Sequence, residues 1–241
     1  MTEPLQPCRI PVSAVWAALA EGGRDFRRHP GPAALFASVF AALGLGLFAV
    51  LAAHDLHALR LPLAGGFLLV GPALLAGFFA VRRVAATRPP RLADLVGGFA
   101  AAPRGVWALA AVCALLFLIW MSDAATVYSF MIGDTRPGAD QVWRFHAWTS
   151  LMGGVFALIV FHITAFAVPL LLDRRATLVG AVVASVRGIW TNGPAMATWA
   201  GVLAAAIIAT VFVPPLLGVS LPWLAFVSDL LYLRVYPSRP K

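Results

Sequence analysis

Six apolar stretches, each long enough to cross a lipid bilayer, limit what this chain can fold into more than any other feature. A hydrocarbon core is roughly 30 Å thick, so a spanning helix needs about 20 mostly apolar residues. The stretches are 33–53, 61–81, 106–121, 150–172, 195–213 and 216–233. Because backbone polar groups in lipid must be satisfied within their own segment, we predict an all-α, polytopic membrane helix bundle of about six transmembrane helices. Only Pro214-Pro215 and Gly218 divide the last two stretches, so a re-entrant hairpin is the alternative there.

The basic residues set the orientation of these stretches. Of the 18 Lys and Arg residues, only Arg60, Arg136 and Arg144 fall on one side of the membrane, and the other fifteen fall on the opposite side. Cytoplasmic loops carry the excess of Lys and Arg, so both termini are predicted to be cytoplasmic. The net charge of +8 then reflects orientation and attraction to anionic lipids and not nucleic-acid binding.

The domain organisation follows from the spans. We predict a cytoplasmic N-terminal segment with an interfacial helix at 1–32, a six-helix transmembrane domain at 33–235 and a cytoplasmic tail at 236–241. The first apolar stretch has full spanning length and no convincing cleavage site, so we expect it to remain attached. Three pairs of arginines flank the spans and are predicted to contact phospholipid headgroups. They are Arg27 and Arg28, Arg82 and Arg83, and Arg174 and Arg175.

A repeated arrangement precedes each outward-going span and predicts three related units. Amphipathic stretches at 15–26, 92–99 and 178–190 are followed by Pro30 (or Pro32), Pro103 and Pro194, which open the next span. The first and third stretches have the pattern of helices lying in the cytoplasmic interface. Two inward-going spans, the second and the fourth, both end in an arginine pair.

The spans carry two patterns typical of membrane helices. Small residues at four-residue spacing form ridges that favour close helix contact: Ala34, Ser38, Ala42 and Gly46, and Ala197, Gly201, Ala205 and Ala209. Aromatic residues cluster at the predicted boundaries, as in an aromatic belt. Trp120, Trp143, Trp148 and Trp223 fall near the outer one, and Trp107, Trp190, Tyr232 and Tyr236 near the inner one.

His162 is the one ionisable side chain predicted near mid-membrane, where a polar group is costly. A neutral imidazole is a good ligand to haem iron or to the magnesium of a chlorophyll-type pigment. The alternative, which we favour, is a hydrogen bond to a carbonyl or hydroxyl on a neighbouring helix, or to a subunit partner, because the spans hold no second histidine. On the outer side, a metal ion could be bound by His54, Asp55, His57 and residues of the loop before the fourth span. This group lacks a third close ligand, so no metal site is predicted.

The carboxylates at the cytoplasmic boundary have basic neighbours in the sequence. Asp25 is next to Arg24 and near Arg27 and Arg28, and Asp173 precedes Arg174 and Arg175. These arrangements predict interfacial ion pairs and headgroup contacts. Asp229 lies about one turn from Arg234 near the inner boundary, where snorkelling is predicted to bring its carboxylate to water. No nucleophile and base, phosphate loop or dinucleotide fingerprint is evident, so we expect no enzymatic activity. The interruptions at Gly71-Pro72 and Pro169 lack the deep carboxylates of a coupled transporter.

Three stretches resemble an uncharacterised proteobacterial integral-membrane family, domain of unknown function 2189. They are GGRDFRRHPGPAALF at 22–36, VGPALLAGFFAVRR at 70–83 and FAVPLLLDRRATLVGAVVASVRGIWTNGPAMATW at 166–199. The C-terminal stretch 226–236 departs from the family in lacking its histidine-containing ending. The resemblance implies a multi-pass protein of the bacterial cytoplasmic (inner) membrane, and members are sometimes labelled cytochrome c oxidase subunit I. A catalytic oxidase subunit would need many intramembrane histidine ligands, whereas this chain has five histidines in all.

The features together favour a non-catalytic accessory or assembly subunit of a larger membrane complex, respiratory or photosynthetic. Its expected partners are other integral-membrane subunits and phospholipids. Two alternatives stay open. One is a small-solute channel or transporter with a polar cavity, and the other is a haem- or pigment-binding protein that uses His162.

Overall fold

The computed structural model describes residues 5–28, 30–59, 62–63, 72–85, 87–133 and 138–237, and within these ranges the secondary structure is helical. The α-helices are α1 (Ser13–Arg28), α2 (Pro30–Ala53), α3 (Pro72–Ala85), α4 (Leu92–Ala100), α5 (Arg104–Met131), α6 (Ala139–Thr164), α7 (Ala167–Leu172), α8 (Leu178–Thr191), α9 (Gly193–Phe212) and α10 (Leu217–Val235). Short 3₁₀ turns lie at His57–Leu59 and Pro214–Leu216. The prediction of an all-α membrane bundle is confirmed.

Five segments of the described chain are long and apolar enough to cross a membrane: Pro30–Ala53, Arg104–Met131, Ala139–Leu172, Gly193–Phe212 and Pro214–Val235. The third predicted span therefore continues to Met131. The fifth and sixth are separate helices, each with spanning length. The second predicted span lies partly outside the described residues, which include only its end as α3, so the count of six stays a prediction.

The predicted repeat is confirmed in the order of the helices. Each of the three amphipathic stretches is a helix, α1, α4 or α8, and each is followed directly by a long apolar helix, α2, α5 or α9. Proline lies at the start of each long helix: Pro30 opens α2, Pro103 is the N-cap of α5 and Pro194 lies in the first turn of α9. Proline loses no hydrogen bond at such a position, which explains its recurrence.

Each amphipathic helix packs on an inward-going segment. Helix α4 packs on α3, α8 packs on α6 and α7, and α1, the first helix of the chain, packs on α10, the last. The N-terminal segment completes this closure, because the amide of Cys8 donates to the carbonyl of Val235 at 2.8 Å. Asn192 also binds this segment, accepting from the Ile10 amide at 2.7 Å and donating to the Cys8 carbonyl at 3.1 Å. Helix α3 contacts both α7 and α10, so the ends of the three inward-going segments meet.

Three aromatic residues of the predicted belt are bonded or buried within the protein. The indole of Trp223 donates to the carbonyl of Leu19 in α1 at 3.0 Å, and its level at the outer boundary stays a prediction. Tyr232 and Tyr236 are fully buried, so their assignment to a lipid-facing belt is wrong. Composition near a boundary cannot tell an aromatic side chain facing lipid from one packed under an interfacial helix.

Glycine lets α4 approach α3 closely. A Cβ on Gly98 would meet the Cβ of Ala80 at 2.3 Å and the carbonyl oxygen of Ala76 at 3.0 Å, whereas a Cβ on its neighbour Gly97 would meet nothing within 4 Å. The backbones of the two helices are therefore in contact at Gly98 only because it has no side chain.

We expect Gly98→Ala to destabilise the protein by about 1–3 kcal/mol, because the added methyl group forces α3 and α4 apart. Gly97→Ala is the matched control and should be neutral or stabilising by up to about 1 kcal/mol, from helix propensity alone. Thermal unfolding of the two purified variants in the same detergent measures the difference. Equal stability of the two variants would contradict this helix contact.

Candidate functional site

A buried carboxylate lies where the ends of the inward-going helices meet. Asp229 of α10 is only 1% exposed, and its Oδ2 accepts a hydrogen bond from Nη1 of Arg82 in α3 at 2.6 Å. Its Oδ1 lies 3.6 Å from Nη2 of Arg83. The prediction that snorkelling brings the Asp229 carboxylate to water is wrong, because this side chain is buried against the two arginines. Arg234 pairs with Glu21 of α1 at 2.7 Å, because it lies on the side of α10 that faces α1.

Two further aspartates complete the coordination of the same two arginines. Nε of Arg82 lies 3.4 Å from Oδ2 of Asp25 in α1, and Nη1 of Arg83 lies 2.7 Å from Oδ1 of Asp173 at the end of α7. Asp25 is also 4.0 Å from Arg28, one of its predicted neighbours. The predicted pairing of Asp173 with Arg174 and Arg175 is wrong, since its ion-pair partner in the described chain comes from α3.

A third arginine joins the cluster through a tyrosine. The hydroxyl of Tyr232 donates to Oδ2 of Asp173 at 2.6 Å and accepts from Nη1 of Arg175 at 3.0 Å. Arg175 also donates to the carbonyl of Tyr236 at 2.6 Å. We call Arg82, Arg83, Arg175, Asp25, Asp173 and Asp229 the Arg–Asp cluster. Its formal charges cancel, because it contains three arginines and three aspartates.

A tight turn after α7 brings Arg175 into the cluster. The amide of Arg175 donates to the carbonyl of Leu170 at 3.0 Å and that of Arg174 to the carbonyl of Leu171 at 3.0 Å, which is the Schellman pattern that ends a helix. Arg174 occupies the left-handed position with φ of 53°, where glycine is the usual residue. This reversal leaves Arg174 exposed at the surface and turns the next residue toward α10.

The neighbouring tyrosine is buried and hydrogen-bonded. Tyr236 follows the last span, and burial raises the pKa of its hydroxyl to about 12. That hydroxyl donates to the carbonyl of Ala184 in α8 at 2.6 Å. The cluster and its tyrosines thereby connect α1, α3, α7, α8 and α10 at one level of the molecule.

The arrangement suits a structural role better than a catalytic one. Every aspartate of the cluster contacts an arginine, and buried charges are tolerated when they are paired and hydrogen-bonded. Nε of Arg82 and Oδ1 of Asp229 make charge contacts without a hydrogen bond. Among the described residues, no group of three His, Cys, Asp or Glu side chains is placed to hold a metal ion.

His162 lies on α6, three residues before the helix reaches its bend at Ala165. Its Nδ1 is 2.7 Å from the carbonyl oxygen of Leu158, one turn earlier on the same helix, so this nitrogen donates and Nε2 is left as the acceptor. Its ring centroid is 6.2 Å from that of Trp190 in α8. The imidazole is thus bonded within its own helix and lies beside an amphipathic helix. Haem or pigment binding at His162 stays a prediction.

The six arginines predicted to contact lipid headgroups have different environments. Arg82, Arg83 and Arg175 belong to the Arg–Asp cluster, with the partners given above. The side chains of Arg27, Arg28 and Arg174 are exposed, and Arg27 donates to the Gly23 carbonyl of its own helix at 3.3 Å. Headgroup binding by all six stays a prediction.

The small-residue ridges face away from the chain's own core. Ala197, Gly201, Ala205 and Ala209 are all exposed, and α9 packs instead through Ala195, Met196 and Trp199. On α2, Ser38, Ala42 and Gly46 are exposed, and the buried face consists of Ala33, Ala37 and Ala41. Ala34, the first residue of that ridge, is partly buried against the core. The other ridge residues do not mediate the packing of these two helices within the described chain.

The fold and cluster define a polytopic helical membrane protein with a charge-neutral interior at its predicted cytoplasmic side. A family model described as predicted integral membrane protein (DUF2189) matches residues 60–173, slightly less than half of the chain. The resemblance to this family is confirmed over that range, which contains the second quoted stretch and the start of the third. Neither the curated proteins nor the solved structures give a significant match.

We expect Asp229→Asn to destabilise the protein by about 3 kcal/mol or more, because it leaves the charge of a buried arginine without its closest carboxylate. Asp140→Asn is the matched control: its partner Arg144 is equally close at 2.6 Å, but both side chains are mostly exposed. Exposed pairs contribute about 0–1 kcal/mol. Thermal unfolding in detergent compares the two, and a smaller loss for Asp229→Asn than for Asp140→Asn would show that the cluster does not stabilise the fold.

Proposed function

We propose that this protein is a non-catalytic accessory or assembly subunit of a larger bacterial membrane complex, of the respiratory-oxidase or photosynthetic type. The observation that carries the proposal is the exposed ridge of small residues along α9. Small residues at four-residue spacing let two helix backbones approach closely, which is how helices associate in lipid. Because this ridge has no partner within the described chain, we assign it to a helix of another subunit.

The distribution of polar groups supports the same proposal. The ionisable groups of the Arg–Asp cluster neutralise one another and hold the chain's own helices together, so they supply no free reactive group. The outer faces of the spans are apolar: only 17% of the most hydrophobic window of α9 and 11% of that of α2 is buried. A molecule with a paired interior and extended apolar faces is suited to contact other helices.

The test is purification of the tagged protein from its native membranes in a gentle detergent. Mass spectrometry then identifies the proteins in the same chromatographic peak, and a visible spectrum of that peak detects haem or pigment. We expect stoichiometric co-migration with subunits of one membrane complex. A lone, colourless protein would contradict the proposal and favour a channel or transporter, and absorbance that His162→Ala abolishes would favour the pigment-binding alternative.

We expect Gly201→Leu to reduce recovery of the partner subunits by about tenfold or more, equivalent to about 1.4 kcal/mol of binding free energy. The leucine side chain would hold a partner helix away from the ridge. A Cβ on Gly201 meets nothing within 4 Å in the protein itself, so its own fold should be unaffected.

Gly154→Leu is the matched control, because Gly154 is also exposed in a span and also has open space around its Cβ. Its exposed neighbours on α6 include Leu151, Val155 and Leu158, so it is not part of a small-residue ridge. Equal loss of partners in the two variants would exclude the α9 ridge as the interface.

A further inference from the structure

A groove on the predicted cytoplasmic side combines positive charge with an apolar wall. It lies between the first turns of α5 and the turn that joins α7 to α8, with a volume of about 560 Å³. Arg104 and Arg174 line it from opposite sides, and Ala108, Leu171 and Leu178 supply apolar surface. Its size falls within the range of about 300–1,000 Å³ that is usual for sites that bind small molecules.

The two arginines of the groove differ from those of the Arg–Asp cluster. The side chains of Arg104 and Arg174 are both exposed and make no hydrogen bond or ion pair within the described chain. The cluster arginines, by contrast, are each held by carboxylate or carbonyl oxygens. The groove therefore contains two guanidinium groups whose donors are free for a ligand, and a guanidinium pairs with phosphate through two parallel hydrogen bonds.

The position of the groove along the spans indicates which ligand it suits. Arg104 begins one membrane-spanning helix, and Arg174 lies two residues beyond the end of another. Trp107, one turn after Arg104, is 41% exposed, and exposed tryptophans mark the level of the lipid headgroups. A soluble anion would use only the arginines, whereas a phospholipid would also cover the apolar wall.

We propose that this groove binds one anionic phospholipid of the cytoplasmic leaflet. Arg104 and Arg174 bind its phosphate, and an acyl chain lies along Ala108, Leu171 and Leu178. The positive charge of the groove favours an anionic headgroup, because the described residues place no carboxylate in the groove. The site does not depend on the proposed subunit role. It includes Arg104, which is not among the six arginines predicted from the sequence to bind headgroups.

The experiment measures binding of phosphatidylglycerol and phosphatidylcholine to the full-length, delipidated protein in detergent by native mass spectrometry. We expect one phosphatidylglycerol per protein, at least tenfold tighter than phosphatidylcholine. Arg104→Gln with Arg174→Gln should reduce the affinity for phosphatidylglycerol by about tenfold or more, the combined effect expected of two basic groups at a membrane surface. Arg24→Gln with Arg91→Gln removes the same charge from two exposed arginines outside the groove and should leave binding unchanged.

Two further arms separate this proposal from simpler explanations. Ala108→Trp fills the apolar wall without changing the charge, and it should also weaken phosphatidylglycerol binding while the unfolding temperature stays that of the wild type. Inorganic phosphate at millimolar concentration should not displace the lipid. Equal loss of binding in the two double variants, or full displacement by phosphate, would overturn the proposal.

Discussion

The neutral Arg–Asp cluster is the interaction on which the rest of the structure depends. Helices in lipid gain no hydrophobic free energy by associating with one another, so they rely on close packing and polar contacts. Here the polar contacts are concentrated where α1, α3, α7 and α10 meet, and Asp229 bonds to a residue 147 positions earlier in the chain. Removing charges from water is costly, and a buried pair is weak evidence of net stability. Its clearer consequence is specificity, because any other arrangement of these helix ends would leave a charge buried without a partner.

Closure of the chain on itself follows from the same convergence. Each amphipathic helix covers the end of an inward-going segment, and the first of them covers the last segment because α1 packs on α10. Gly22 allows this contact: a Cβ there would meet Cγ2 of Val227 at 2.7 Å and its backbone nitrogen at 3.2 Å. The N-terminal helix is therefore part of the main hydrophobic core.

Periodicity and charge made the helices, their order and their likeness to one another predictable from the sequence. Apolar length identifies the spans, and the recurring amphipathic stretch with proline identifies the repeat, since both are local properties. The Arg–Asp cluster was not predictable in this way. Sequence neighbours such as Asp173 and Arg174 suggest local pairs, whereas the actual partners are fixed by which faces of distant helices meet.

Asn192 was also missed. Its buried amide bonds to two segments and is as structural as the cluster itself. Its only local signal is a polar residue between an amphipathic helix and a span.

Arg174 and Arg175 show why residue type alone cannot assign a role to an arginine in such a protein. They are adjacent, both lie just beyond the same span, and composition treats them as one basic pair. The left-handed backbone at Arg174 ends α7 and separates their environments. Arg175 donates inward to Tyr232 and to the carbonyl of Tyr236, so its charge is used within the protein. Arg174 stays at the surface beside an apolar groove, where its charge is available to the membrane. This turn of the backbone thus directs Arg175 inward, where it holds the helices together, and leaves Arg174 facing the surroundings.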